Sequence, residues 1–180
     1  MGVFSTFMRG VTKGRRSAVS ERSVHHASEL VEYFCQQLGW SIDERIDARE
    51  IRLHFKDPLI GIRKVVVTAS TDDPAMSFTM RSSVGLMPAR KVPADALAYL
   101  LERNSRLIVT WQMYLGSDGN ALFGMSYYTY SLAMNPTFFK HICETMVQED
   151  QAFDAKMKEI RAASLAHLLQ YNGPRFGEKP

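Results

Sequence analysis

The sequence predicts an α+β fold, an antiparallel β-sheet of meander plus hairpin packed with an N-terminal helix, a short middle helix and a long C-terminal helix. Three observations predict it. Apolar and polar residues alternate through residues 51–80, with short polar turns and no helix long enough for a parallel crossover. Two more alternating segments flank Asp118-Gly119, a hairpin signal. Helical 3-and-4 spacing occurs at both ends and in one short stretch between.

A chain of 180 residues suits one domain. Surface scaling has such a chain bury about 70% of its unfolded area, enough for a core without staples. Residues 1–22 are expected to be a basic disordered arm, 23–173 a single α+β domain and 174–180 a tail. The arm carries Arg9, Lys13, Arg15 and Arg16 and, up to residue 20, no acid. Without those four, 18 of the 22 basic residues remain against 19 acids, so the body is near −1. Any electrostatic case for nucleic acid or an anionic membrane therefore rests on the arm. The arm also fits loose myristoylation and transit-peptide patterns.

The first helix is expected over residues 23–39, with Val24, Ala27, Val31, Phe34 and Leu38 on one stripe and Gly39 at its end. Trp40, Ile42 and Ile46 then alternate with polar residues. Ile51, Leu53 and Phe55 point one way while Arg52, His54 and Lys56 point the other. Further strands are expected at 62–70 and around Met76, Phe78 and Met80. Val92-Pro93 opens a short helix to about Arg103, with Leu97, Leu100 and Leu101 as its buried side.

The hairpin is expected over 107–115 and 121–131. A two-residue type I′ turn at Asp118-Gly119 would set Leu115 against Leu122, Met113 against Gly124 and Trp111 against Ser126. Its second face would then join Tyr114 to Phe123, Met125 and Tyr127. Such a face is too apolar to be wet, so it should be covered or be an interface. Asn135-Pro136 starts the last helix, whose stripe runs Phe139, Ile142, Met146, Phe153, Met157, Ile160 and is broken at Glu149-Asp150. At 1.5 Å per residue it would span roughly 50 Å. The end past Asp154 should bend back, fold separately or pack on another chain.

No cluster of residues reads as a reaction centre, and none is expected to hold a metal or cofactor. His25 and His26 are adjacent, hence about 100° apart on a helix. His141 and Glu144 have ligand spacing, but no second pair repeats it. Ser126 follows Gly124-Met125, but Tyr128 replaces the second glycine of a nucleophile elbow. Cys143 and His141 lie two apart on a helix, on different faces. Asp72-Asp73 and Glu149-Asp150 read as solvated charge. Cys35 and Cys143 form no disulfide framework, and no apolar run reaches membrane length, so a reducing cytoplasm is the expected location.

The aromatic group on the hairpin is the functional candidate. Trp111, Tyr114, Tyr127, Tyr128 and Tyr130, with Met113, Phe123 and Met125, offer large contact area with few rotors, the composition of a protein interface.

A helix, antiparallel strands, a Val92-Pro93 helix closing on Leu100-Leu101-Glu102-Arg103-Asn104, a hairpin turning at Asp118-Gly119 and a long helix follow in that order. That order resembles the YbjN family and the related fold of class I type III secretion chaperones, over about residues 26–158. Ser105-Arg106-Leu107 is more polar and shorter than that family's hairpin entry, and the helix past Asp154 has no counterpart. The resemblance implies a cytoplasmic, dimeric, non-enzymatic protein that holds an extended stretch of another polypeptide or acts in regulation. The partner is expected to be protein, with a homodimer and no small-molecule substrate. Nucleic acid or membrane contact through the basic arm is the alternative.

Overall fold

A computed structural model describes residues 30–46, 50–69, 75–130 and 133–171, with side chains to residue 167 apart from that of Ala69. The basic arm with Arg9, Lys13, Arg15 and Arg16, the expected start of the first helix with His25 and His26, and Asp72-Asp73 lie outside the described residues. The fold is α+β, as the sequence predicts. Helix α1 is helical over 30–38. Strands β1 (Glu44–Arg45), β2 (Glu50–Asp57), β3 (Gly61–Ala69) and β4 (Ala75–Arg81) form an antiparallel meander. The short β5 (Met87–Pro88) precedes α2 (Ala94–Asn104), then β6 (Thr110–Leu115), β7 (Asn120–Tyr130) and α3 (Pro136–Tyr171).

Strand β7 organises the sheet. One of its edges takes β4 along Gly124–Tyr130 and β5 at Asn120–Ala121; the other takes β6 along Ala121–Ser126. β6 therefore ends the sheet on one side, and the charged two-residue β1 ends it on the other.

The alternation read from the sequence sets the core face. Ile51, Leu53, Val65, Val67, Met76, Phe78, Met80, Phe123 and Met125 are all buried on it. Helix α3 lies across that face with two aromatic anchors. Phe139 packs on Phe34 and Phe78 at ring separations of 5.4 and 5.6 Å. Phe153 packs on Trp111 and Phe123 at 4.9 and 5.2 Å, and stacks on Tyr99 of α2 at 6.1 Å. Trp40, just after α1, sets its ring edge-on to Phe55 at 5.2 Å.

Four readings of the sequence are corrected. The hairpin turn is not type I′. Among the described residues only glycines have positive φ, so Asp118 does not, while Gly119 has φ of 74°. Ser117-Asp118-Gly119 is a three-residue loop, closed by Gly119 N–H on the Gly116 carbonyl at 3.0 Å and Gly116 N–H on the Asn120 carbonyl at 2.8 Å. The Asp118 side chain accepts from the Asn120 amide at 3.0 Å, which favours this loop over the tighter one.

The register consequently moves by one residue: Trp111 faces Met125, Met113 faces Phe123 and Tyr114 faces Leu122. A one-residue shift puts each side chain with the other set of neighbours. Tyr114 therefore lies on the face opposite Phe123 and Met125, and the hairpin is not apolar on both sides. Its second face carries Thr110, Gln112 and Tyr114 with Leu122, Gly124, Ser126 and, past β6, Tyr128 instead, so it is mixed in polarity.

Secondly, Leu101 is exposed rather than part of the buried side of α2, which rests on Ala96 and Leu100. Thirdly, α3 is one continuous helix of 36 residues, about 54 Å long. It neither bends back nor folds separately; after Ile160 its described side chains, residues 161–167, are all exposed.

Fourthly, Glu149 and Asp150 are not solvated; both are buried. Arg103 at the end of α2 grips Glu149 through Nε at 2.8 Å and a second, closer bond from Nη2. Asp150 meets Arg63, which stands in the core phase of β3 and is only 2% exposed. Arg63 Nε also donates to Asp57 Oδ2 at 2.7 Å. The remaining carboxylate oxygens are occupied as well. Asp150 Oδ1 accepts from Ser82 Oγ at 2.6 Å and from the Ser83 amide at 3.1 Å. Asp57 accepts from the amides of Leu59 and Ile60 at 2.8 and 3.0 Å and from Gln151 Nε2 at 2.8 Å.

Arg63, then Gln151, holds the Asp57 carboxyl well below the usual carboxylate range, against the opposing effect of burial. A lowered folded-state pKa gives stability that is complete above the unfolded value near 4 and lost as pH falls below it. Denaturant unfolding should therefore show stability declining below about pH 4, and the decline should be shallower in Asp57→Asn. Arg63→Leu leaves two buried carboxylates uncompensated and should cost about 3–5 kcal/mol in the same measurement at pH 7.

Candidate functional site: the hairpin and its open edge

The functional candidates named from the sequence separate into three sets. Trp111, Phe123 and Met125 are buried, the first two against Phe153, and Tyr127 packs half-buried on Phe78 and Phe138 at 6.2 and 6.0 Å. Met113 shares their face but is 41% exposed. Tyr114, Tyr128 and Tyr130 stand on the opposite face at 48%, 66% and 61% exposed. The structure brings Trp111, Phe123 and Met125 together and keeps Tyr114, Tyr128 and Tyr130 apart from them.

Sequence reasoning missed two members of this site. Leu115 is 66% exposed beside Met113, and Asn104 acts on the strand edge. Asn104 Oδ1 accepts from the Trp111 amide at 2.6 Å, and its Nδ2 donates to the Trp111 carbonyl at 3.0 Å. The side chain thus imitates one residue of a neighbouring strand. Antiparallel pairing alternates, so the backbone groups of Met113 and Leu115 point the same way as those of Trp111, away from β7. No strand pairs with that edge among the described residues. An asparagine ending a helix just before a hairpin was the available signal.

The edge is unusual in what it lacks. Protein sheets normally guard an exposed edge with charge, proline or a bulge. Strand β6, Thr-Trp-Gln-Met-Tyr-Leu, contains no charged residue and no proline. Past Ser126, β7 also continues to Tyr130 without cover from β6. By contrast, β1 at the far side of the sheet is two charged residues long.

Gly124 lets the sheet close here. A Cβ on it would lie 2.9 Å from the Met80 carbonyl oxygen and 3.5 Å from the Tyr114 ring. Tyr114 therefore leans over Gly124, next to Gln112, whose Nε2 donates to Ser126 Oγ at 2.9 Å. Ser126 is buried in this arrangement and not presented as a nucleophile.

Other reactive groups are scattered. His141 is exposed while Cys143 is buried, so they do not meet. Burial raises the Cys35 thiol to about 11, with Asp43 adding to it, and raises the Cys143 thiol further. Glu144 pairs with Lys140 at 3.6 Å. Among the described residues no group of three or more histidine, cysteine or acidic side chains could hold a metal, and no helix is long and apolar enough to cross a membrane.

No protein-family model matches the chain, and no curated protein matches it. Among solved structures, the crystal structure of YbjN from E. coli matches with a TM-score of 0.49, at 13% identity, over 73% of this chain and 91% of that one. A likeness of that size carries no function across.

Two substitutions separate core from surface on this hairpin. Trp111→Ala should lower stability by about 3–5 kcal/mol in denaturant unfolding. Tyr114→Ser should change it by less than about 1 kcal/mol.

Proposed function

We propose that this protein is a non-catalytic binding module that takes a strand of another polypeptide onto the open edge of β6. The observation that carries the reading is an edge that, among the described residues, is unguarded, with Met113, Tyr114 and Leu115 exposed and only Trp111 capped, by Asn104. Strand addition supplies affinity through main-chain hydrogen bonds and specificity through alternate side chains. Met113 and Leu115 would contact the incoming strand on one face of the sheet and Tyr114 on the other.

The occupant we propose is a second copy of this chain, paired antiparallel through β6. A charged edge would repel its own copy; Thr110–Leu115 is neutral throughout, so self-pairing opposes no like charges. The dimer would join two sheets edge to edge, in keeping with a chaperone-like or regulatory role in the cytoplasm. The absence of charge on the edge favours this reading over one in which the basic arm does the binding.

Size exclusion coupled to light scattering tests it. The wild-type chain should run at twice its monomer mass, and Met113→Lys with Leu115→Lys should run as a folded monomer. A wild-type monomer at high concentration would contradict the proposal, as would a dimer untouched by those two lysines.

A further inference from the structure

A second surface, on the outward face of the sheet and away from β6, has the chemistry of an anion site. Beyond Val65 and Met80, the last paired residues, β3 and β4 separate. β3 runs on back to Gly61 beside β2, whereas the chain leaves β4 at Ser82-Ser83. A cleft of about 620 Å³ opens at this fork, lined by Lys64, Arg81, Arg52, Ser83, Ile62 and Val66 among others, with Arg63 at its wall.

Two features of the cleft point to a negatively charged occupant. Lys64 and Arg81 are the residues next to the last β3–β4 pair, one on each strand, and both are exposed. Like charges across adjacent strands repel. No ion pair among the described residues relieves either one. Arg63, 2% exposed, has Nη2 with no hydrogen-bond partner, although its other nitrogens are engaged. That nitrogen is closed off from solvent, so Arg63 acts on the fork through Ser83. Ser83 Oγ accepts from Arg63 Nη1 at 2.9 Å, which leaves its own hydroxyl hydrogen to donate elsewhere.

Among the described residues the cleft has one acid, Asp150, whose oxygens are taken by Arg63, Ser82 and Ser83. Arg52 is already shared by Glu44 and Glu50, each at 3.2 Å, so Lys64 and Arg81 are the available cations. Ile62 and Val66 form an apolar wall beside them. The volume is that of a small-molecule site and exceeds what a bare oxyanion needs.

We infer that this fork binds an organic phosphate. Lys64, Arg81 and the Ser83 hydroxyl take the phosphoryl oxygens, Arg63 holds the Ser83 hydroxyl in place from behind, and Ile62 with Val66 receives the apolar body. The phosphoryl group can belong to a free nucleotide or to the backbone of a single-stranded nucleic acid.

Calorimetric titration of the full chain with AMP and with adenosine, and anisotropy of a labelled oligothymidylate, distinguish these sources. AMP, the oligonucleotide or both should bind, and adenosine should not. Lys64→Glu with Arg81→Glu should weaken binding at least about tenfold. If circular dichroism shows that variant misfolded, Lys64→Gln with Arg81→Gln should weaken it in the same direction. Replacing Arg9, Lys13, Arg15 and Arg16 with alanine should leave it unchanged. Binding of AMP alone identifies the small ligand, and binding of the oligonucleotide alone identifies the backbone. The inference is overturned if neither phosphate probe binds, if adenosine binds as well as AMP, if substitutions at Lys64 and Arg81 leave binding intact, or if the arm substitutions abolish it.

Discussion

One buried charged cluster fixes how the long helix lies on the sheet. Arg63, Asp57 and Asp150 come from β3, β2 and α3, and all three are buried. Apolar packing is tolerant of small rotations, since any oily face can meet another. A guanidinium between two carboxylates is not. Turning α3 by one residue would move Asp150 away from Arg63, Ser82 and Ser83 together. The cluster is thus better understood as a register device than as a source of net stability, because desolvating the charges offsets most of their attraction.

That register decides what the hairpin exposes. With Asp150 on Arg63, Phe153 comes down on Trp111 and Phe123, and Glu149 meets Arg103 at the end of α2. The Arg103 contact holds the helix whose next residue, Asn104, caps Trp111. Phe153 covers the hairpin only as far as its middle. Met113 and Leu115, further toward the tip, share the core face and remain uncovered. The same framework therefore produces a rigid strand and a bare edge.

Much of this fold was legible in the sequence, and the rest failed for definable reasons. Alternation through Ile51, Leu53 and Phe55 and through Met76, Phe78 and Met80 marked strands and their inner face. The hairpin was visible, but its register was not. Asp-Gly serves a two-residue turn and a three-residue loop equally well, and Asp118 bonding to Asn120 decides between them. The buried charges escaped because their partners are far apart along the chain, 87 residues for Arg63 and Asp150. A signal existed even so. Asp57 continues the phase of Leu53 and Phe55, Arg63 that of Val65 and Val67, and Asp150 falls within the stripe of Met146 and Phe153. Three charges in core phase, of both signs, indicate a buried cluster rather than interruptions of the core.

Residue-resolved amide hydrogen exchange addresses the open edge of β6 directly. At low protein concentration the Trp111 amide should be protected by Asn104, while the Met113 and Leu115 amides exchange rapidly. Raising the concentration should slow Met113 and Leu115 and leave Trp111 as it was. Rapid exchange at Met113 and Leu115 at every concentration would contradict an edge that takes a second strand.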